Sequence, residues 1–310
     1  MKATLITCSF RGDLDVCRLL CRSIDLNASA EFEHRLYVPQ RDLPLFADLA
    51  TSRRRVETQE SLLPRWFWKV PLPGPEWRRR LGLPRRNFYL TPTHGPVRGW
   101  IAQQIMKIAA TLRAESDVVA HIDSDSALVS PLELSHLHHD GRTRFYTGEV
   151  AERHAGHAVW YAQAARLLGL PAEDFYRAEY IASLVVWRRA VVQAMTARIE
   201  ATTGRSWASA LAATPHFSEY VLYGVFAQHA LGLEAAGLRE EGRSCCLSRW
   251  VDSFDDPAGI EAFLAQAQAD QLVCCLQSTL AIPLKTRAGV YRRAGEAIAA
   301  LQQPSREVAA

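Results

Sequence analysis

An apolar, β-branched run that ends in two acids one residue apart constrains this chain more than any other feature: Asp117-Val-Val-Ala-His-Ile-Asp-Ser-Asp125. Val118 to Ile122 lacks the alternation of a strand with one wet face. It reads as a strand of a parallel sheet covered on both faces. Sheets of that kind bind ligands in the crevice beyond the carboxyl ends of their strands, and Asp123 and Asp125 stand at such an end. If the chain turns after Asp123, two carboxylates at i and i+2 can converge on one hard cation. Mg²⁺ or Mn²⁺ in such a site keeps positions for water and for substrate phosphates. Acid pairs at this spacing also solvate loops and cap helices. The strand in front is therefore what gives the motif weight, and it points to chemistry on a diphosphate.

The 310 residues suffice for a sizeable core, and 48% apolar with 22% charged content is that of an ordinary globular protein. A net charge of +3 does not imply a polyanionic partner by itself. The charge is uneven, however. From Arg53 to Arg86 run Arg53-Arg54-Arg55, Arg65, Lys69, Arg78-Arg79-Arg80 and Arg85-Arg86, interleaved with Trp66, Phe67, Trp68, Trp77 and Phe88. Arginine planes and tryptophans suit stacking on bases, so nucleic acid is a partner this segment would fit, as are sugars. No stretch is apolar for 18 residues, so no membrane span is expected. The start, Met1-Lys-Ala-Thr-Leu-Ile-Thr-Cys8, turns polar too soon for a signal peptide and reads as a first strand. Seven cysteines without a C-x-x-C spacing predict reduced, partly buried thiols and a cytoplasmic protein.

Along the chain, Thr4–Phe10 predicts a strand, Leu14–Ile24 a helix with Asp13 as its N-cap, and His34–Val38 a second strand. A strand, helix and strand in so short a stretch argue for a parallel α/β sheet. Arg53–Val56 is a candidate third strand, and the Pro-, Trp- and Arg-rich residues of about 53–96 read as an excursion from the sheet. Ile101, Ile105, Ile108 and Leu112 predict a helix over 98–112 that delivers the chain to the Asp123 strand. Later expectations are strands at 145–150, 180–187 and 272–276, and helices at 191–200 and 218–230. The economical division is one α/β domain over 1–288, followed by a helix and tail over 289–310.

These parts together resemble the GT-A class of nucleotide-sugar glycosyltransferases, and the chain is similar to the bacterial DUF6492 family. The blocks that carry the resemblance are Thr7–Asp13 with Cys17–Cys21, Val38–Phe46, Leu62–Arg65, Val97–Lys107, His121–Leu128, Phe217–Gly224 and Leu276–Ser278. The resemblance implies a Rossmann-like, mostly parallel mixed sheet flanked by helices. It implies transfer of a sugar, hexosyl or related, from a nucleoside diphosphate of the UDP or GDP type to a hydroxyl acceptor, with Mn²⁺ or Mg²⁺.

Carried onto this sequence, Asp123 and Asp125 become the D-x-D metal motif, with Asp125 also counted as catalytic. Thr7, Ser9 and Arg11 would lie near the base and ribose, although a strand end and turn explains them equally. Gln103 and Lys107 are four apart on one helix, so they share a face, and Lys107 interrupts apolar surroundings where it could reach a phosphate. Arg98 is a further phosphate candidate. Glu219 is the candidate base for inverting transfer, taking the acceptor's proton, while helix N-terminal electrostatics is its ordinary explanation. Tyr220, Tyr223 and Trp100 are candidate acceptor or sugar contacts. A third metal ligand late in the chain would have to come from Gln277 or Ser278, because no histidine follows His229.

Two rivals share the main features. A haloacid-dehalogenase-like phosphatase also places D-x-D after an apolar strand, but on its earliest strand and with a later acidic pair; Asp255-Asp256 here follows a polar stretch. A non-catalytic GT-A scaffold could use the basic segment to bind nucleic acid or another polyanion.

Overall fold

The computed structural model describes residues 1–71, 80, 88–92, 94–150, 152–171, 173–254 and 256–303. The central sheet has five strands. Ala3–Cys8 lies between Val118–Ile122 and Phe32–Val38, with Arg54–Thr58 beyond the latter. These four are parallel. Leu184–Arg188 adds an antiparallel edge strand against Val118–Ile122. The fold is thus α/β, with a mixed, mostly parallel sheet flanked by helices. All five residues of Val118–Ile122 are buried, as a run apolar but for His121 predicts.

The order of the strands creates the site. From Ala3–Cys8 the chain steps outward through Phe32–Val38 to Arg54–Thr58. It then returns to the other side of the first strand as Val118–Ile122. The carboxyl ends of Ala3–Cys8 and Val118–Ile122 therefore flank a topological switch point, where the crevice of an open sheet lies.

A polar thread crosses four strands just below that crevice. Buried Arg54 donates to His34 Nδ1 at 2.8 Å and is paired with Asp25 at 2.5 Å. With Nδ1 accepting, His34 presents its other nitrogen to Thr7 Oγ1 at 3.0 Å, and the Thr7 hydroxyl donates to the carbonyl of Ile122 at 3.1 Å. Burial, with Arg54 beside it, pulls His34 down to a pKa of about 3, so its imidazole is neutral. The thread holds the residue immediately before Asp123.

Three short strands extend the sheet region past the acids. Ser126–Leu128 pairs with Val273–Leu276, which pairs with Cys246–Arg249. The helix Leu284–Gln302 buries Val290, Tyr291 and Ala294 against this group. It begins before residue 288, so a division there falls inside one helix.

Other expectations shift at their edges. The strand expected at 145–150 is Arg142–Tyr146, and that expected at 180–187 is Leu184–Arg188. The helix expected at 218–230 is Glu219–Val225 followed by a π-helical turn over Phe226–Leu231. The basic excursion contributes an antiparallel hairpin group of Trp68–Lys69, Phe88–Thr91 and Gly95–Arg98. Its flanking basic residues are partly consumed internally: Arg53 donates to the carbonyls of Ala28 and Ser29, and Arg54 belongs to the thread. Trp77, Arg78, Arg79, Arg85 and Arg86 lie outside the described residues. All seven cysteines are free. Among the described residues, no helix is long and apolar enough to cross a membrane.

Candidate functional site

Asp123 follows directly on its strand, with its amide donating to the carbonyl of Ser183 at 3.1 Å. The chain then turns, because the amide of Ser126 bonds back to the carbonyl of Asp123 at 3.1 Å. That turn brings Asp125 round to the other short strands. One oxygen of Asp125 accepts the amide of Ser278 at 2.6 Å, and the other lies 3.7 Å from Cys275 Sγ. The hydroxyl of Tyr291 donates to the Asp125 carbonyl. Arg287, buried in the same helix, binds the carbonyls of Leu276 and Gln277. The C-terminal helix therefore fixes both sides of the Asp125 contact.

Lys107 is the hub on the opposite side. It comes from the helix Gly99–Arg113, and its ammonium lies 3.0 Å from Glu219, 2.7 Å from the Tyr220 hydroxyl and 3.8 Å from Asp123. It also sits over the Tyr220 ring, 4.4 Å from the centroid. Burial alone would strip its charge. Glu219, Tyr220 and Asp123 outweigh burial and hold the ammonium well above its ordinary pKa. Glu219 opens the helix Glu219–Val225, where Ser218 caps the first turn by accepting from the amide of Val221. The Glu219 amide donates to buried Gln104 at 2.8 Å.

The acids feel one another. Burial lifts Asp123 to a pKa of about 6, with Lys107 opposing and Asp125 and Glu219 adding to the rise. Asp13 is also raised, first by burial and then by Asp125, with hydroxyls of Ser124 and Ser278 opposing. Asp13 stands at the N-terminus of the helix Leu14–Asn27, but its side chain makes no capping bond. It accepts instead from Ser124 Oγ at 3.4 Å. Its expected role as a cap is thus replaced by membership of the acid cluster.

The other expected site residues divide. Thr7 is fully buried and spent on His34 and Ile122, so it cannot contact a nucleotide directly. Ser9 is buried beside the switch point, and its hydroxyl has no protein partner among the described residues. Arg11 is pinned by the buried carboxylate of Asp42 at 2.6 Å. Gln103 points to solvent; Gln104, in the buried stripe with Ile101, Ile105 and Ile108, faces Glu219 in its place. Tyr220 joins the Lys107 cluster. Tyr223 does not: it is buried against Trp187, and its hydroxyl accepts the amide of Arg188. Trp100 is half-exposed against Trp160, with ring centroids 5.6 Å apart. Arg98 is exposed at the head of the Lys107 helix.

Among the described residues, no three His, Cys, Asp or Glu side chains are grouped as a protein-only metal site. Asp123 and Asp125 do supply hard oxygens, and Asp125 adds to the rise that burial gives Asp123 and Asp13, a charge that a cation would offset. The residues fit a cation that takes its remaining ligands from phosphate and water.

Residues 3–288 match DUF6492, a family of unknown function. The chain belongs to this family. No curated protein matches it. Among solved structures, the DUF6492 chain is similar to the apo form of mouse xyloside xylosyltransferase 1. The two share 9% identity with a TM-score of 0.44, over 89% of this chain and 97% of the mouse chain.

Proposed function

We propose that this DUF6492 protein is a glycosyltransferase that moves a sugar from a nucleoside diphosphate to a hydroxyl acceptor. The observation that carries the proposal is the convergence of Asp13, Asp123, Asp125, Lys107 and Glu219 on the topological switch point of a mostly parallel sheet. Asp123 and Asp125 are the residues that would hold Mn²⁺ or Mg²⁺; a bound cation offsets charge gathering on the leaving diphosphate. Lys107 adds a fixed positive charge already in place before reaction. In the inverting form, the acceptor oxygen bonds the anomeric carbon as its bond to the diphosphate oxygen breaks. The acceptor proton passes to Glu219, and the nucleoside diphosphate leaves.

The phosphatase alternative loses support at its second acidic pair. Asp256 caps the helix Pro257–Leu264 through the amide of Gly259, and Asp255 lies outside the described residues. The nucleic-acid alternative loses Arg53 and Arg54, which are used internally.

The test is a thermal-shift panel of UDP, GDP, CDP and dTDP, each with and without Mn²⁺. A ligand at about a hundredfold excess over its Kd stabilises by about 2.7 kcal/mol, which such a panel reads readily. A Mn²⁺-dependent shift with one nucleotide is the expected result. No shift with any of them at millimolar concentration contradicts the proposal.

A further inference from the structure

A cavity of about 560 Å³ adjoins the acid cluster without belonging to it. Tyr146, Ser244, Ser248, Gln266, Gln268 and Gln271 put polar groups in its wall, with the Trp250 ring beside them. Its size falls within the roughly 300–1,000 Å³ of small-molecule sites. Three features of the wall bear on what it would hold.

The first is position. Ser248 Oγ lies 3.0 Å from Ser183 Oγ, and the carbonyl of Ser183 is the acceptor of the Asp123 amide. Ser248 is also in register with Cys275, whose thiol faces Asp125. The cavity wall and the D-x-D turn are thus one residue apart along two separate routes.

The second feature is charge. Among the described residues, no Asp, Glu, Lys or Arg side chain lines the cavity. Cys246 is there too, but its hydrogen bond with Cys245, together with burial, holds its thiol far above the ordinary range, so it is neutral. A charged ligand entering here would give up water with no counter-charge in return. The acid cluster next door shows the opposite design.

The third feature is the kind of polarity on offer. Three glutamine amides line the wall, Gln266 also donating to the carbonyl of Ala262 and Gln271 also accepting the amide of Gln268, and hydroxyls stand at Tyr146, Ser244 and Ser248. Trp250 is 40% exposed at the same cavity and offers it a large apolar face. Amides and hydroxyls around one aromatic plane complement a molecule with many hydroxyls and an apolar C–H face. That is an uncharged pyranoside.

We infer that this cavity seats an uncharged sugar, and that the acceptor of the transfer proposed above is a neutral glycoside or glycan. The inference rests on that transferase reading for the word acceptor, but the seat itself needs no turnover to be seen.

The experiment is saturation-transfer NMR on the full chain without nucleotide. The probes are the methyl glycosides of glucose, galactose, mannose and xylose, with methyl glucuronide as the charged control. At least one neutral glycoside is expected to receive saturation, with a signal at least fivefold above that of the glucuronide. Trp250→Ala is expected to cut that signal at least fivefold. Gln268→Ala, at an exposed position, is expected to cut it at least twofold and serves if the tryptophan variant proves unstable. The Mn²⁺-nucleotide shift of either variant should match the parent. Silence from all four neutral probes, equal signal from the glucuronide, or full signal in the folded variants overturns the seat. A blank nucleotide panel with a positive glycoside signal would instead remove the transferase reading and leave the sugar seat standing.

Discussion

Lys107 Nζ lies 3.0 Å from Glu219 Oε1 and 3.8 Å from Asp123 Oδ1, so one ammonium serves two acids from separate elements of the fold. The Glu219 side chain is only 6% exposed. Removing the cation leaves that carboxylate buried and facing another. Lys107→Met should therefore cost about 3 kcal/mol or more in urea denaturation. Lys107→Met with Glu219→Gln should recover most of the loss, because the uncompensated charge is gone. A single-variant cost below about 1 kcal/mol would show that the pair is not coupled to folding.

Glu219→Gln keeps the shape of the side chain and the backbone bond to Gln104, but it cannot take a proton. Turnover should fall by roughly 10²–10⁴, the usual worth of a positioned base. The Kd for nucleotide should move no more than about threefold. Equal turnover in the two proteins removes Glu219 from the mechanism.

Gly224 illustrates how the helix carrying Glu219 is seated. A Cβ there would lie 2.3 Å from Cγ of the Tyr180 ring, a contact that buried packing cannot absorb cheaply. Alanine normally gains about 1 kcal/mol over glycine inside a helix. Overpacking costs about 1–3 kcal/mol and should win here. Gly224→Ala is thus expected to lower the thermal midpoint; a raised midpoint would mean Tyr180 moves aside freely.

His34 gives the fold an acid limit. Its folded pKa is about 3, against about 6.5 in the unfolded chain. Between those values the unfolded chain binds the extra proton, so stability is lost as pH falls from about 6.5 towards 3. At pH 4.5 the loss should be about 2–3 kcal/mol relative to pH 7. Asp123, whose pKa is raised, works in the opposite sense over its own window, so the readout is the difference between proteins. His34→Gln retains an acceptor for Arg54 and a donor for Thr7 and should show a shallower loss. Parallel pH curves would contradict the assignment.

The sheet was legible because its strands are locally coded. Val118–Ile122 is apolar apart from His121, and the strand, helix and strand of the first 38 residues have clear periodicities. The D-x-D turn was legible for the same reason: an apolar strand cannot continue through Asp123 and Asp125. What the sequence hid was tertiary. Asp13 has the spacing of a helix cap, and only the crossing of the chain to Ser124 reveals its other partner. The Arg287 and Tyr291 contacts join residues ten or more positions from their partners, with no pattern to announce them. Gln103 and Lys107 do sit four apart, but Gln104 lies in the Ile101–Ile105–Ile108 stripe, which was the better guide to which glutamine faces inward. Tyr223 looked like a sugar platform beside Glu219, yet its helix turns it into the core against Trp187.

The most direct test of the central claim is isothermal titration of the nucleoside diphosphate that gives the largest thermal shift, with Mn²⁺, into the parent protein and into Asp125→Asn. The asparagine oxygen can still accept the Ser278 amide, so the turn should persist while the carboxylate is gone. The account predicts Mn²⁺-dependent binding in the parent and an affinity at least tenfold weaker in the variant, about 1.4 kcal/mol or more. Equal affinity in the two proteins, or binding indifferent to Mn²⁺, would contradict a metal–diphosphate site at Asp123 and Asp125.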